Sequence, residues 1–340
     1  MAQPLFARLR EKLPHALIDV LAPPWVAPVL RRMPEVARVL EAPFAHGRLQ
    51  LRERWRMSRE LRAQGYRQAI VLPNSWKSAL VPFLADIPIR SGYVGESRYG
   101  LLNLLYRSAR PKDRAERGAM VLHYARLGDP PGTPPAEPLP QPQLEVDAAS
   151  AAATAQRFGI DAGRALAVLC PGAEYGPAKR WPAERFGALA AELGSRGFEV
   201  CLLGAASDSE ACAETAKASG GAARNLAGRT TLDEAIDLIA QAALVVSNDS
   251  GLMHIAAALG RPQVALFGSS SPAHTPPQSA QARVIWLGLE CSPCYARECP
   301  LGHFRCMREI SVQQVAAEAA QASQITGVLP SRPPAAPITR

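Results

Sequence analysis

The sequence predicts an α/β protein made of two Rossmann-like domains that face each other across a cleft. Three observations carry that prediction. Buried, strand-like runs alternate with helix-like ones, a proline-rich break interrupts the alternation, and the two halves on either side of it are similar in size. Strands that alternate with helices form parallel sheets with helices on their faces. The 340 residues suit about two domains at roughly 100–200 residues each.

In the first half, LFARLREKL (5–13) has apolar residues at helical spacing and ALIDVLA (16–22) reads as a buried strand. WVAPVLRRM (25–33) reads as a short helix, LRERWRMSRELRAQ (51–64) as a charged helix, RQAIVLP (67–73) as a strand and SWKSALVPFLAD (75–86) as a helix. Seven of the thirteen residues from Pro130 to Pro142 are proline, which excludes helix and central strand and predicts an extended connector. The alternation then resumes with strand 165–172, helix 182–197, strand 198–204, helices 207–219 and 231–242, strand 243–249, helix 250–260 and strand 262–268. Ser311 and Gln314 form a capping-box start for a last helix, and LPSRPPAAPITR reads as a disordered tail. The expected division is 1–155, 156–328 and a tail at 329–340.

The opening is unusual. A Rossmann-like domain begins with a strand and a turn, and that strand lies mid-sheet where ligands approach. This chain opens on the helix, so the N-terminal domain is expected to lack its first strand, with about a dozen residues belonging ahead of Met1.

Composition narrows the function. An apolar fraction of 48% with 20% charged residues is that of a globular chain. No apolar run reaches the roughly 18–20 residues of a membrane span, and charge interrupts the first twenty residues as it would not in a signal peptide. A cytoplasmic protein is expected. The net charge of +8 favours anionic partners: nucleic acid, phosphorylated metabolites or an acidic membrane surface. The charge is diffuse and no nucleic-acid motif accompanies it, so no nucleic-acid partner is expected. Seven cysteines in such a chain argue against a disulfide framework, and Cys170, Cys201 and Cys212 read as core packing.

Three segments carry chemistry. Cys170-Pro-Gly-Ala-Glu-Tyr-Gly-Pro-Ala-Lys-Arg-Trp-Pro182 is a strand end, a glycine-bearing loop and a helix start. Backbone N–H groups of such loops approach anions, and Lys179 and Arg180 add charge. In Val246-Ser-Asn-Asp-Ser-Gly-Leu-Met-His254 a strand runs into a helix, with Asp249 at the strand's C-terminal end and Ser250, Gly251 and His254 in the first turns. The blander alternative makes Asp249 a helix N-cap and His254 a packed ring. In the first half, Asn74 and Lys77 follow a strand, and Arg90 and Arg98 follow later. They read as the lining for an anionic acceptor or as ordinary surface charge. A fourth group, Cys291, Cys294, Cys299 and Cys306 with His303 inside it, has the spacing C-x₂-C-x₄-C-x₆-C. Zinc, redox-sensitive thiols and plain loop cysteines all remain open there.

Taken in order, VLPNSWKSALVPF, RSGYVGESRYGLLN, CPGAEYGPAKRWP, NLAGRTTL, SNDSGLMHIAAALGRPQVALFG and SSPAHTPP are specific together. The sequence resembles the ADP-heptose:lipopolysaccharide heptosyltransferases of glycosyltransferase family 9, the type II branch in particular, from about Met1 to the last helix. The resemblance implies the GT-B fold and an inverting transfer of L-glycero-D-manno-heptose from ADP-heptose to the first heptose of the lipopolysaccharide inner core. It implies a heptosylated Kdo₂-lipid A type acceptor at the inner face of the inner membrane. No cofactor is implied, ADP-heptose being a substrate, and no metal ligand is implied in the site. By position, Glu174 and Tyr175 match donor contacts and Lys179 a phosphate-binding lysine. Thr230 matches a position near the adenine. Asp249 matches a residue holding heptose hydroxyls, with Ser250, Gly251 and His254 completing its loop. The general base of such enzymes lies in the turn expected ahead of Met1. The alternative is a catalytically silent or differently specific sugar-nucleotide-binding protein of the same fold.

Overall fold

The computed structural model describes residues 1–45, 47–108 and 117–324; the tail expected at 329–340 lies outside the described residues. The chain forms two compact units. The first comprises Met1–Val146 with Ser271–Gln278, the second Asp147–Ser270 with the chain from Ser279 onward.

In the first unit, helix α1 (Gln3–Lys12) precedes strand β1 (Ile18–Ala22), a short helix α2 (Ala27–Arg31) and strand β2 (Val36–Glu41). Helix α3 (Leu51–Ala63), strand β3 (Gln68–Val71), helix α4 (Trp76–Leu84), strands β4 (Ile89–Tyr93) and β5 (Leu104–Tyr106) and helix α5 (Met120–Ala125) follow. All described pairings are parallel, in two separate sheets: β1 with β2, and β3-β4-β5. No ladder joins β1 to β3 among the described residues. Apolar side chains nevertheless bridge the two sheets on both faces. Leu5 and Phe6 of α1 pack with Val20, Ile70, Tyr93 and Tyr106, while Leu21 and Ala69 pack with Leu61 and Val81. Neighbouring residues of one strand serving opposite faces is the two-residue period of a sheet covered on both sides.

The second unit begins with helix α6 (Ala148–Arg157) and strand β6 (Leu166–Cys170). There follow α7 (Ala183–Ser195), β7 (Glu199–Leu202), α8 (Ser209–Ala218), β8 (Ala223–Asn225), α9 (Leu232–Ala240), β9 (Ala242–Asn248), α10 (Gly251–Ala258) and β10 (Gln263–Phe267). Strand β11 (Ala282–Trp286), α11 (Arg305–Arg308) and α12 (Val312–Gln324) complete it. Its six parallel strands form one sheet in the order β11-β10-β9-β6-β7-β8. Every residue of β6, β7 and β10 is buried, as a strand covered on both faces requires. Leu169, Leu202, Val246 and Leu266 pack with Phe186, Leu189 and Trp181, and each such fully buried side chain contributes about 1.5–3 kcal/mol.

The domain boundary differs from the expected 155/156. Helix α6 belongs wholly to the second unit, where the Thr154 hydroxyl donates to Asp237 of α9 at 2.9 Å. Residues Ser271–Gln278 cross back to the first unit, where the Met120 N–H donates to the His274 carbonyl at 2.9 Å. The proline-rich stretch is neither helix nor strand, as expected, and the Ser311–Gln314 capping box is present at the start of α12.

Candidate active site

The strand order of the second unit reverses between β6 and β9, and both strands end on the same side because they are parallel. In open α/β sheets ligands approach at that reversal, beyond the C-terminal strand ends. Two of the segments singled out in the sequence emerge there. Asn248 welds them together. Its amide donates to the Pro171 carbonyl at 2.7 Å, and its oxygen accepts the Trp181 N–H at 3.0 Å. The loop from Pro171 to Trp181 is thereby held at both ends by one side chain of the neighbouring strand.

Inside that frame the Lys179 ammonium meets Asp249 Oδ2 at 2.5 Å, with side-chain exposures of 17% and 4%. The Ser270 hydroxyl, from the loop after β10, donates to the same oxygen at 2.6 Å. The structure thus brings Lys179 and Asp249 together from positions 70 residues apart. The N-cap reading of Asp249 is corrected: Ser250 occupies the N-cap of α10, and no side chain caps that helix. The first N–H groups of α10 therefore present their positive end of the helix dipole beside Lys179 and Asp249. Gly251 is exposed at that terminus. His254, one turn further on, is pushed down to about 4 by burial, with Lys179 adding to the effect and Asp249 opposing it. Its imidazole is therefore neutral at pH 7.

Tyr175 forms one wall. The Lys179 Nζ lies 5.3 Å and the Arg297 guanidinium 5.7 Å from its ring centroid, and its hydroxyl donates to the Tyr295 carbonyl at 2.8 Å. Gly176 has to be glycine: at φ +150° its backbone runs so close to the Arg297 carbonyl that a Cβ would sit 2.4 Å from that oxygen. Glu174 is exposed on the same loop, and Thr230 is half-buried at the start of α9, next to the N-cap Thr231. The ammonium, the uncapped helix terminus and the carboxylate make a binding point for a diphosphate joined to a hydroxyl-rich group. Lys179 and the α10 N–H groups can donate to an anion there, and Asp249 can accept from hydroxyls.

Asn74 and Lys77 lie in the first unit, at the end of β3 and in the first turn of α4. There Glu96 accepts the Trp76 N–H at 3.1 Å, so the start of α4 already holds a carboxylate. Arg98 is corrected both as acceptor lining and as surface charge. It is fully buried, and its guanidinium donates to the Pro73 and Tyr93 carbonyls, tying the loop after β3 to the end of β4. Arg90 likewise donates to the Ile87 and Leu101 carbonyls. Sequence reasoning missed Asn248 and Ser270. A Gly-Ser-Ser triplet directly after a buried strand was the available signal for the second.

Of the cysteines, Cys170, Cys201 and Cys212 are buried in the core, and burial pushes the last two up to about 12, which makes them inert. Cys291, Cys294, Cys299 and Cys306 converge with His303 on one cavity beside Ala178 and Ser269. Burial and the three neighbouring thiols push Cys306 up to about 11. Burial works to raise Cys299 as well, but the N–H groups of Phe304, Leu301, His303 and Gly302 bring it below its ordinary value.

Glycosyltransferase family 9 (heptosyltransferase) matches this chain over residues 54–305. The lipopolysaccharide heptosyltransferase 2 proteins of Salmonella typhimurium and Escherichia coli are each 44% identical to it, over 94% of this chain and 93% of theirs. The solved structure of the Escherichia coli ADP-heptose lipopolysaccharide heptosyltransferase II superposes with a TM-score of 0.84 at 41% identity, covering 96% of this chain and 95% of that one. A family 9 glycosyltransferase from Veillonella parvula shares the fold, with a TM-score of 0.76 at 21% identity over 95% of this chain and 93% of its own.

Proposed function

The chain belongs to glycosyltransferase family 9, a family of transferases, and on that premise we propose the reaction it catalyses. It moves L-glycero-D-manno-heptose from ADP-heptose to the first heptose of the lipopolysaccharide inner core, inverting the anomeric carbon. The observation that carries this reading is the Lys179–Asp249 pair at the foot of the uncapped helix α10. The C–O bond to ADP breaks as the acceptor hydroxyl attacks from the opposite face and gives up its proton to solvent, and negative charge grows on the diphosphate. Lys179 and the α10 N–H groups stabilise that charge, an effect worth about 10²–10³ in kcat per contact. Asp249 accepts hydrogen bonds from the heptose hydroxyls. Lys179 and Ser270 both donate to its Oδ2, which holds the carboxylate in place for that role. Tyr175 and Glu174 flank the donor, Thr230 stands near the adenine, Ser250, Gly251 and His254 line the sugar side, and Asn74 and Lys77 serve the acceptor.

The acceptor is lipid-anchored, so the reaction is assigned to the inner face of the inner membrane, with the protein docking peripherally. Among the described residues no helix is long and apolar enough to cross a membrane, and the +8 net charge suits an anionic leaflet. The test is ADP release with a panel of sugar nucleotides and inner-core acceptors. Turnover is expected with ADP-heptose and an acceptor that already bears one heptose. Equal rates on an acceptor without heptose, or preference for another sugar nucleotide, would sink the assignment.

A further inference from the structure

The four clustered cysteines are not used by the transfer reaction, yet they sit against its machinery. Cys291, Cys294 and Cys299 belong to an irregular segment after β11, and Cys306 opens the short helix α11. All four line one cavity of about 20 Å³, together with His303. That is room for a single water-sized or ion-sized body. The lining is sulfur-rich rather than carboxylate-rich, which selects a soft, thiophilic cation over magnesium or calcium. We propose that Cys291, Cys294, Cys299 and Cys306 bind one Zn²⁺ ion in tetrahedral thiolate coordination, and that this ion braces the loop carrying Lys179.

Two details favour four sulfurs over a mixed set. The Nδ1 of His303 accepts the Arg305 backbone N–H at 3.0 Å, so that nitrogen is already engaged. The Phe304 N–H donates to Cys299 Sγ at 3.4 Å, an N–H···S contact of the kind that steadies a metal-bound thiolate. Among the described residues no three His, Cys, Asp or Glu side chains stand as a formed metal cage. Capture of the ion therefore requires the thiols to rotate into the cavity they line, and three of them sit on coil where such rotation meets no helical restraint.

The bracing follows from the hydrogen bonds between this segment and the donor loop. The Tyr295 N–H donates to the Ser269 carbonyl at 2.7 Å, next to the Ser270 that bonds Asp249. The Ala178 N–H donates to the Arg297 carbonyl at 3.0 Å, next to Lys179. Tyr295 and Arg297 lie between Cys294 and Cys299, so an ion joining those two thiols fixes the stretch on which both contacts depend.

The experiment measures metal in the full chain, purified without added metal or chelator, by elemental analysis. About one zinc per chain is expected, released when a mercurial reagent titrates the thiols. The Cys291→Ser/Cys299→Ser variant should lose the zinc while keeping the far-ultraviolet circular dichroism of the parent. The wild-type measurement stands alone if that variant fails to fold. Stoichiometric iron with visible absorption would overturn the zinc assignment. Four freely titrating thiols with no metal, or a mass two hydrogens lower per disulfide, would overturn the site. The readout is independent of the donor and acceptor, so failure here and failure of the heptosyltransferase reading are distinguishable.

Discussion

The second unit carries six parallel strands in one continuous sheet, whereas the five described strands of the first unit form a pair and a triplet with no ladder between them. The two units follow the same alternation of strand and helix, so local sequence does not explain the difference. Its consequence lies in the loops. Strands β6 and β9 are hydrogen-bonded neighbours, which fixes the loops after them to within a side chain's reach, and Lys179 meets Asp249 there. Among the described residues, strands β1 and β3 lack that ladder, and no hydrogen bond comparable to the Lys179–Asp249 pair joins the loops after them. The edges also differ in cost. Unpaired parallel edges expose backbone groups that invite pairing with another chain, and Asp19 on β1 keeps one buried carboxylate oxygen without a partner.

The sharpest way to break the comparison is to cut the joint in the second unit. Lys179→Ala should lower kcat by about 10²–10³. Because Asp249 is buried, losing its cation also costs stability, up to about 3–5 kcal/mol for a fully buried pair. Lys179→Ala in an Asp249→Asn background should recover the melting temperature without recovering turnover, and Asp249→Asn alone should spare ADP affinity. Lys77→Ala, in the first unit, should instead raise KM for the acceptor by less than about 10-fold, the loss of one exposed charge contact. Equal losses from Lys179→Ala and Lys77→Ala would erase the distinction between the units.

A second prediction addresses the split itself. If the first unit opens about 3 kcal/mol more easily than the second, amides of Ile18–Ala22 and Gln68–Val71 exchange about 10²-fold faster than those of β6 and β9. Apolar side chains bridge the two sheets on both faces, so they open together rather than one at a time. Equal exchange in the two units would mean that the split between the sheets costs the first unit nothing.

Much of this was legible in the sequence, for identifiable reasons. The long apolar runs that became β6, β9 and β10 announce themselves because both faces are buried. The short or half-exposed strands β2, β4, β5, β8 and β11 were not read as strands, since a three-residue strand such as β8 or a mixed pattern such as VARVLE has no clear period. Helix α6, AASAAATAQR, was missed because alanine carries almost no amphipathic signal; Asp147 at its N-cap was the available cue. In the site, strand ends pointed to Lys179 and Asp249, but nothing local told that the two touch. Arg98 was misread because a buried guanidinium satisfied by carbonyls looks, in sequence, like any surface arginine.

A third prediction uses pH. His254 sits at about 4 in the folded chain, below its ordinary 6.5. A depressed histidine means that the unfolded chain binds the proton more readily. Stability is therefore whole above pH 6.5 and falls as pH drops from 6.5 toward 4, by on the order of 2–3 kcal/mol for this residue. His254→Asn should flatten that part of the second unit's melting profile and leave the first unit's profile as it was. A slope that survives the substitution would assign the titration to another group.

The smallest effect separates two adjacent threonines at the ligand end of the second unit. Thr231 is structural: its hydroxyl accepts the Glu234 N–H at 3.3 Å, and Glu234 accepts the Thr231 N–H at 2.8 Å, closing a capping box on α9. Thr231→Ala should cost about 1 kcal/mol, or about 2–4 °C in a unit of this size, with KM for ADP-heptose unchanged. Thr230, one residue earlier, is outside the box and is assigned to the adenine. Thr230→Ala should leave melting within about 0.5 kcal/mol of the parent and raise KM for ADP-heptose about 3–10-fold, the worth of one neutral hydrogen bond. The pair is informative because both changes remove the same hydroxyl from neighbouring positions. If the two variants exchange their phenotypes, the adenine lies one residue further along than assigned, and the cap is dispensable. If neither moves KM, the start of α9 does not touch the donor, and nucleotide recognition has to be sought at the other strand ends of the same sheet.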